Sequence, residues 1–566
     1  MKRNLFVIIT AWLLLFCLLA GCGYGGETET ETETEEISET EAETEPQTET
    51  ETESDAETKL ETESESEEET EPEIPAELEE EDGAVLKLYN KETEARAILY
   101  RAPDGSFLGD AYFVELSLDG ENWHPLDVWT ARVAVQIASK VYDFYTTYFV
   151  NFDVDGEALL RVTPRAHGSV ELRPAGKATV DEVTETAAVI RIDKACQLSF
   201  EVDGDIYGNL QIFANPIEEI DRDDPDVIYL GAGIHTADNC EWIENKETTE
   251  NGQRVFCPEL WVPSGKTLYL SGGAVVQAKV VVKDCENTSV KGRGVLDLLP
   301  WNRANNIRAS ETKAAPNGFR VENSKNTTLE GVIVRDSLGY SIYAGGAKGL
   351  TVDNIKAIAA AEWSDGFDCM ATEDAVVRNC FFRTNDDCIA VYASRWNNKG
   401  GSRNIEIYDC VFWADNAHAI NIGNHGNGNP SDPDVIENIY FHDIEILEVH
   451  SVNWTGAFSV MCGGENILRN ITAERFNVAF SQSDLIRLRF TKDADHYGTT
   501  IENFTFRDIF FHPRQGQKVG IYLRGYSRTR TIKNIHFDNV WIGDEKITAN
   551  SRLLHEDLHV SGLTFE

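Results

Sequence analysis

The stretch Leu329-Glu330-Gly331-Val332-Ile333-Val334 joins two short apolar strands through one glycine corner. The same unit, with Asn, Asp or Gly at the corner, returns along the chain at intervals of 23 to 38 residues. The corner residues are Gly331, Asn354, Asn379, Asp409, Asp443, Asn470, Asp508 and Asn539. Strand units that repeat at a short period with variable insertions are typical of a solenoid with stacked coils. Since the units alternate at period two, residues 216–566 are predicted to form a right-handed parallel β-helix rather than a helical solenoid.

Residues 84–215 show a different pattern, without this repeat. Strand-like segments such as 112–116 and 148–152 are separated by the turn pairs Asp104-Gly105, Asp119-Gly120 and Asp155-Gly156. Short strands at this spacing predict a β-sandwich. The expected fold is therefore all-β, with a β-sandwich before the β-helix. The sandwich carries no reactive constellation, so we interpret it as structural or as a wall of a binding cleft.

Residues 1–22 combine a basic start, Lys2 and Arg3, with an apolar run over residues 5–20 that ends at Gly21-Cys22. The run is short for a transmembrane helix and is typical of an export signal. The position of Cys22 resembles a bacterial lipoprotein cleavage box, which implies lipidation of Cys22 and anchoring to the extracellular face of the cell membrane. A secretory signal with a chance cysteine is the alternative.

Residues 23–83 form a Glu/Thr-rich segment, and its part 27–82 holds 28 acidic residues against one lysine. Such a composition predicts a disordered, extended tether. The whole chain has a net charge of −47. Nucleic acid is excluded as a partner because it requires a basic face, and contact with the membrane is expected only through the lipid anchor. We expect a monomer.

Cysteine usage argues against a disulfide framework. Of 11 cysteines, Cys17 and Cys22 belong to the signal, which leaves an odd number without close pairing. No spacing resembles a zinc site, so we predict no metal and no cofactor. Calcium is the open alternative, since clustered carboxylates suit it.

Carboxylates interrupt two consecutive coils, at Asp365 and at Asp386-Asp387, 21 residues apart. Because neighbouring coils lie about 4.8 Å apart, these side chains are expected to converge. Crowded carboxylates raise at least one pKa and create an acid beside ionised neighbours. This is the equipment of glycosidic bond hydrolysis. A role as turn formers is the alternative for Asp365 and Asp368.

The segments Ser364-Asp365-Gly366-Phe367-Asp368 and Asn385-Asp386-Asp387-Cys388 resemble the polygalacturonases of glycoside hydrolase family 28. The segments 416–423 and 290–297 are similar to two further motifs of that family. The resemblance implies an inverting β-helix hydrolase in which Asp386 is the general acid and Asp365 and Asp387 hold and deprotonate water. It places His418 beside this pair, although His418 could also be a solvated loop residue.

One departure concerns substrate charge. Family 28 carries Arg-x-Lys one coil after the histidine to bind a uronate, whereas residues 457–461 here are uncharged, and Arg487 and Arg489 follow one coil later. Together with the leading sandwich, this shifts the resemblance toward family 49, the dextranases and isopullulanases, which act on neutral α-glucans. A neutral glycan is therefore favoured over pectate. A polygalacturonase, a polysaccharide lyase and a non-catalytic surface glycan-binding protein remain alternatives.

Further side chains near these motifs are candidates for contact with a poly- or oligosaccharide. The insertion between His418 and Phe441 is a candidate for closing one end of the groove. The predicted substrate-binding residues are Trp363, Asp368, Asn385, Tyr392, Arg395, Trp396, Asn421, His425 and Arg487, and Trp413 lies nearby in sequence.

Overall fold

The regular secondary structure of the described chain is almost entirely β-strand. The computed structural model describes residues 76–81, 84–138, 141–250, 253–301, 317–451, 455–514, 516–517 and 519–566. The predicted export signal, Cys22 and the tether up to residue 75 lie outside the described residues. The described residues belong to one compact unit, Pro72–Glu566. No helix within these ranges is long and apolar enough to cross a membrane.

Two antiparallel-rich sheets form the sandwich. Their strands are β1 (Ala76–Glu81), β2 (Val85–Asn90), β3 (Arg96–Tyr100), β4 (Tyr112–Ser117), β5 (His124–Leu126), β6 (Trp129–Ala138), β7 (Val141–Asp155), β8 (Ala158–Pro164), β9 (Val170–Arg173), β10 (Thr179–Val183), β11 (Ala188–Ile192), β12 (Cys196–Val202) and β13 (Leu210–Asn215). One sheet has the order β1-β2-β3-β7-β13-β12-β9, with β6 beside β7, and the other the order β10-β11-β8-β4-β5.

Strand β1 lies inside the segment predicted to be disordered. It pairs with β2 in antiparallel register from Ala76 opposite Asn90 to Glu81 opposite Val85. Backbone pairing with a neighbour does not require an apolar sequence, and an acidic strand at a sheet edge discourages further pairing. The ordered region therefore begins before residue 84.

The solenoid follows from Val227. Its first strands are β14 (Val227–Leu230), β15 (Gly233–His235), β16 (Ile243–Glu244), β17 (Glu247–Glu250), β18 (Gln253–Phe256), β19 (Glu259–Trp261), β20 (Thr267–Leu270), β21 (Ala274–Val276), β22 (Lys279–Lys283), β23 (Glu286–Gly292), β24 (Val295–Asp297), β25 (Phe319–Glu322), β26 (Lys325–Glu330), β27 (Ile333–Arg335), β28 (Ile342–Gly345), β29 (Lys348–Asp353), β30 (Lys356–Ala359), β31 (Phe367–Met370), β32 (Glu373–Arg378), β33 (Phe381–Thr384) and β34 (Ile389–Tyr392). The later strands are β35 (Arg403–Ala414), β36 (Ile420–Gly423), β37 (Val435–Val449), β38 (Gly456–Cys462), β39 (Ile467–Val478), β40 (Asp484–Phe490), β41 (Lys492–Asp493), β42 (His496–Tyr497), β43 (Thr500–Phe511), β44 (Ile521–Arg524), β45 (Thr531–Ile542), β46 (Glu545–Lys546), β47 (Leu554–Glu556), β48 (Val560–Ser561) and β49 (Thr564–Phe565).

These strands stack mostly in parallel register into two long sheets. One sheet has 20 strands, and the other has 12 strands in the order β16-β19-β22-β25-β28-β31-β34-β36-β38-β40-β44-β47. The hairpins β17–β18 and β41–β42 lie outside both sheets. The predicted right-handed parallel β-helix, preceded by a β-sandwich, is confirmed as the fold.

The predicted corner residues adopt the left-handed backbone conformation, with φ between 50° and 80°. Asn, Asp and Gly tolerate this conformation better than other residues, which explains the recurring polar corner. One assignment was wrong. Strand register places Asn470 opposite Asn438, whereas Arg475 lies opposite Asp443 and has a φ of 54°. The repeat was misread at this coil because an arginine occupies the corner there.

The sandwich packs directly on the solenoid. Phe213 of the sandwich contacts Phe381 of the solenoid edge to face, with ring centroids 5.2 Å apart, within a shared apolar cluster. Buried Arg293 adds a polar link, since its Nε lies 2.7 Å from Asp153 Oδ1 and its Nη1 lies 2.7 Å from Glu218 Oε2. Because a buried charge is costly unless it is paired, these bonds hold the two parts in one arrangement.

The nine described cysteines are all unpaired and buried. Several, including Cys380, Cys388 and Cys410, lie in the solenoid core among Val, Ile and Phe side chains. This agrees with the expectation that they act as small apolar residues.

Candidate active site

The outward face of the twelve-stranded sheet carries most of the candidate residues. In β31, Phe367 and Cys369 point into the core, and Asp368 and Met370 therefore point outward. Register aligns Asp368 with Tyr343 of β28 on one side and with Ala390 of β34 on the other. The column continues through Asn421, Ser459, Arg487 and Tyr522.

The three predicted catalytic carboxylates converge at one end of this face. Asp365 precedes β31, and Asp386 and Asp387 precede β34, the next strand of the sheet. Carboxylate oxygens of the three residues all lie within 4.8 Å of one another. Asp365 and Asp387 are buried and Asp386 is half-buried. The one-coil spacing in the sequence thus becomes a contact in space.

The next coil fixes the orientation of Asp387. His418 Nδ1 lies 2.6 Å from Asp387 Oδ1, and the backbone N–H of His418 donates to the same oxygen at 3.2 Å. Asn421 Nδ2 donates to Asp387 Oδ2 at 2.7 Å. His418 is buried, so it is not a solvated loop histidine. Both oxygens of Asp387 therefore already accept hydrogen bonds.

Burial raises the pKa of Asp365 well above its usual range, and the charges of Asp368, Asp386 and Asp387 raise it further. Burial also raises the pKa of Asp368 well above its usual range, against the opposing effect of the Arg395 guanidinium. Crowding and burial therefore raise the pKa of both Asp365 and Asp368, as expected for neighbouring carboxyl groups out of contact with water.

Several buried polar atoms at this site have no hydrogen-bond partner among the described residues. Natively buried polar atoms are nearly always bonded, so a cluster of exceptions indicates a place where a ligand or water binds. The atoms are Asp365 Oδ1, both oxygens of Asp368, Asn385 Oδ1, His418 Nε2 and Asn421 Oδ1. Hydroxyl groups of a sugar can donate to these oxygens, and they can donate to or accept from the second imidazole nitrogen according to its protonation.

Tyr142 is a site residue that sequence reasoning missed. It belongs to β7 of the sandwich, and its hydroxyl accepts a hydrogen bond of 3.3 Å from Asn416 Nδ2. Burial raises the pKa of Tyr142 to about 12, with further contributions from Glu362 and Asp386. The sandwich therefore forms a wall of the cleft at this point. A lone tyrosine in a sandwich strand gives no signal of this in the sequence.

The aromatic candidates divide into two groups. Trp396 is half-buried, and the Arg395 guanidinium lies 4.3 Å from its ring centroid and 5.0 Å from that of Tyr392. Trp363 is also half-buried and adopts a φ of 67° beside Asp365. Trp413, in contrast, is fully buried against the sandwich, so it is a packing residue and faces no sugar.

Two other candidates are held by protein contacts. His425 Nδ1 lies 3.4 Å from Asp493 Oδ1, and its ring meets Tyr392 edge to face at 4.9 Å. Arg487 is bonded to Asp484 and stacks on Tyr522 at 4.6 Å. The charge of Arg487 is therefore largely compensated by the adjacent carboxylate.

Register shows which residues lie on the coil after His418, where Arg-x-Lys is expected in family 28 enzymes. Ser459 and Met461 lie directly beside Asn421 and Gly423, and Arg487 and Arg489 follow on the next strand. The coil after His418 thus presents no charge to the groove at these two positions. Burial, Arg487 and Arg524 all lower the pKa of Arg489.

Asp365, Asp386 and Asp387 are also the residues at this site that could hold a cation. Their close oxygens suit a hard ion such as calcium. However, both oxygens of Asp387 accept bonds from His418 and Asn421, which leaves them less able to coordinate an ion.

Comparisons with known proteins bear on this geometry. Residues 269–452, which contain the four aspartates and His418, match the family described as Glycosyl hydrolases family 28. Dex49A from Penicillium minioluteum is similar in structure, with a TM-score of 0.53 and 14% identity over 83% of this chain and 98% of that chain. No curated protein matches the chain in sequence.

Two further solved structures align less completely. A hyperthermoactive exopolygalacturonase from Thermotoga maritima has a TM-score of 0.38 and 13% identity over 60% of this chain and 79% of that chain. A polygalacturonase from Erwinia carotovora ssp. carotovora has a TM-score of 0.38 and 14% identity over 62% of this chain and 97% of that chain. The chain thus resembles Dex49A in its fold, and its match to family 28 in the coils that carry the acids supports a glycoside hydrolase that acts on glycans.

Proposed function

We propose that the protein hydrolyses glycosidic bonds of a neutral poly- or oligosaccharide with acid and base catalysis by aspartates. The observation that carries this proposal is the convergence of Asp365, Asp386 and Asp387 within 4.8 Å beside buried polar atoms that lack partners. A protonated carboxyl beside ionised ones supplies both the proton for the leaving oxygen and the activation of water.

We assign to each carboxyl the role that the resemblance to family 28 implies. Asp386 is the half-buried member and acts as the general acid toward the glycosidic oxygen. Asp387, oriented by His418 and Asn421, deprotonates the attacking water. Asp365, whose pKa is raised by burial and by its carboxylate neighbours, holds that water in place. His418 Nε2 is buried without a partner among the described residues, so it can bond to substrate.

We propose inversion at the anomeric carbon. Carboxyl groups about 5–5.5 Å apart are usually associated with retention, so the short distance between the carboxyl groups in this site, taken alone, favours retention. Asp387, however, has both oxygens engaged, which makes it a poor nucleophile, and the third carboxylate provides a binding place for water. NMR of the product immediately after cleavage decides this point, since a retained anomer would assign a nucleophile to the site.

The favoured substrate is neutral because Ser459 and Met461 occupy the coil after His418 and Arg487 is paired with Asp484. A uronate needs a charge-assisted partner. The test is a screen of purified protein on dextran, pullulan, polygalacturonate and host-type oligosaccharides. New reducing ends indicate a hydrolase, an unsaturated product absorbing in the ultraviolet indicates a lyase, and binding without products indicates a glycan-binding protein. Loss of activity with a chelator, restored by calcium, would assign the carboxylates to a metal.

We also propose that Cys22 carries a lipid and that the acidic segment holds the enzyme away from the extracellular face of the membrane. The apolar run that ends at Gly21-Cys22 and the Glu/Thr composition support this. A lipid chain supplies most of the anchoring free energy in such proteins.

A further inference from the structure

The outward face of β28 is covered, although it faces away from the solenoid core. Tyr343 and Gly345 align with the outward residues Asp368 and Met370 of β31. Tyr343 nevertheless has no exposed surface. A large side chain at this outward position is buried only if another part of the chain covers it.

The segment 394–400, between β34 and β35, is what covers it. Asn398 Nδ2 donates a hydrogen bond of 2.6 Å to the Tyr343 hydroxyl. The Trp396 ring stacks on Tyr343, with centroids 5.8 Å apart and planes at 25°. A Cβ atom on Gly345 would lie only 2.5 Å from Asn398 Nδ2. The segment therefore reaches back over two strands and rests directly on the β28 backbone.

These contacts form an apolar cluster outside the solenoid core. Aromatic and apolar outward side chains of β28, β31 and β34 meet beneath Trp396. The members are Tyr340, Tyr343, Met370, Ala390 and Tyr392. Because the cluster buries large aromatic surfaces, it stabilises the covering segment against the sheet.

Hydrogen bonds within and around the segment fix its shape. Arg395 and Asn398 exchange two backbone hydrogen bonds, and the N–H of Gly400 donates to Ser394 Oγ at 2.9 Å. The N–H of Ser394 donates to buried Asp434 at 3.2 Å. A segment tied at both ends and packed in the middle acts as a fixed wall rather than as a mobile loop.

On the other side of the acids, part of the same face is accessible, although Ser459 and Arg487 of the Asp368 column are buried. Met461 and Arg489, which follow Gly423 in the register, are half-buried, as is Tyr522. Arg524, opposite Arg489, is exposed. The groove is thus closed toward the N-terminal coils and continues toward the C-terminal coils.

We infer that the segment 394–400 restricts cleavage to the end of a sugar chain, an inference that rests on the proposed function. The wall over β28 lies one strand from β31, which follows Asp365, and two strands from β34, which follows Asp386 and Asp387, or about 5 Å and about 10 Å at the usual strand spacing. These distances leave room for at most one or two sugar units between the acids and Tyr343. A polymer cannot pass through the wall, so only its terminal units enter, and the insertion after His418 is not needed to close the groove.

The test uses whichever polymer of the screen gives the most new reducing ends. Wild-type protein should release mono- or disaccharide from the first minutes while solution viscosity stays nearly constant. The double variant Trp396→Gly/Asn398→Gly, which removes both contacts with Tyr343, should produce a ladder of intermediate lengths and lower the viscosity at least fivefold more per bond cleaved. Lys399→Ala, an exposed position on the same segment, is the matched control and should behave as wild type.

The outcomes separate the inference from the proposed function. A ladder of intermediate products from wild-type protein at the earliest times would overturn the inference and leave hydrolysis intact. No new reducing ends from any polymer would overturn the proposed function, and the inference with it. If the double variant fails to fold by circular dichroism, the single variant Asn398→Ala, with the same product analysis, replaces it.

Discussion

His418 Nδ1 lies 2.6 Å from Asp387 Oδ1, although the two residues belong to successive coils of the solenoid. The short distance requires the tautomer or charge state with a hydrogen on Nδ1, because a carboxylate only accepts. Nε2 of the same ring is buried and has no partner among the described residues. One histidine thus orients a candidate catalytic base and keeps its second nitrogen available for another hydrogen bond.

Removing the individual carboxyl charges tests the roles. Asp365→Asn, Asp386→Asn and Asp387→Asn conserve shape and should each lower the hydrolysis rate by about 10²-fold or more, the lower range for general acid–base catalysis. Rates on the best polymer and circular dichroism spectra check this. Asp374→Asn, an exposed corner residue of β32, is the control. Full activity of Asp386→Asn would refute the assigned mechanism.

Asp368→Asn is expected to stabilise the folded protein at neutral pH. The pKa values of Asp365 and Asp368 are raised in the folded state, so the folded state binds more protons than the unfolded state above the ordinary value of 3.8. Stability is therefore lost as pH rises through this range. The substitution removes a buried carboxyl charge, and it should raise the free energy of unfolding at pH 7 by about 1 kcal/mol, as other stabilising substitutions at active sites do. Urea titrations at pH 7 and near pH 4 should show a gain that shrinks in acid, and a gain independent of pH would contradict the assignment.

The tyrosine from the sandwich offers a test of the cleft wall. Tyr142→Phe removes the hydroxyl near Asp386 that accepts from Asn416, and should slow hydrolysis about fivefold, the effect of a hydrogen bond worth about 1 kcal/mol. Tyr145→Phe, exposed on the same strand, should leave the rate unchanged. Steady-state kinetics of both variants provide the comparison, and equal rates would exclude Tyr142 from the site.

Substrate charge provides a fourth prediction. A neutral polymer should be hydrolysed faster than polygalacturonate, because Ser459 and Met461 offer no cation beside Asn421 and Gly423. Arg489→Gln should then change the rate on the neutral polymer by less than about twofold, because a substitution distant from the reacting atoms usually has a small effect. Lys533→Gln on β45 is the control, because it removes one positive charge at a position outside the groove. A preference for polygalacturonate that disappears in Arg489→Gln would reverse this ordering.

The lipid anchor is tested by Cys22→Ser. Without the thiol no lipid can be attached, and the protein should move from the membrane fraction to the soluble fraction. Fractionation of expressing cells followed by immunoblotting measures the distribution. Membrane retention equal to that of the unchanged protein would rule out lipidation at Cys22.

The repeat, and with it the fold, could be predicted from the residue types alone. Alternating apolar residues and corners of Asn, Asp or Gly are local requirements, since the core face and the left-handed corner each select residue types. The one-coil spacing of Asp365 and Asp386 also predicted their contact, because coils stack at a fixed distance. The misread corner at Asn470 shows the limit, since the residue at the true corner, Arg475, does not have the usual type.

Tertiary structure alone decided how the site is enclosed. Tyr142 reaches the cleft only because the sandwich packs on the solenoid, and Trp396 covers Tyr343 only because its loop folds back across two strands. Asp368 lies beside the other acids because its side chain points outward from β31, next to Ala390 of β34. Loop paths and contacts between separate sheets depend on long-range packing, which no local pattern of residues encodes.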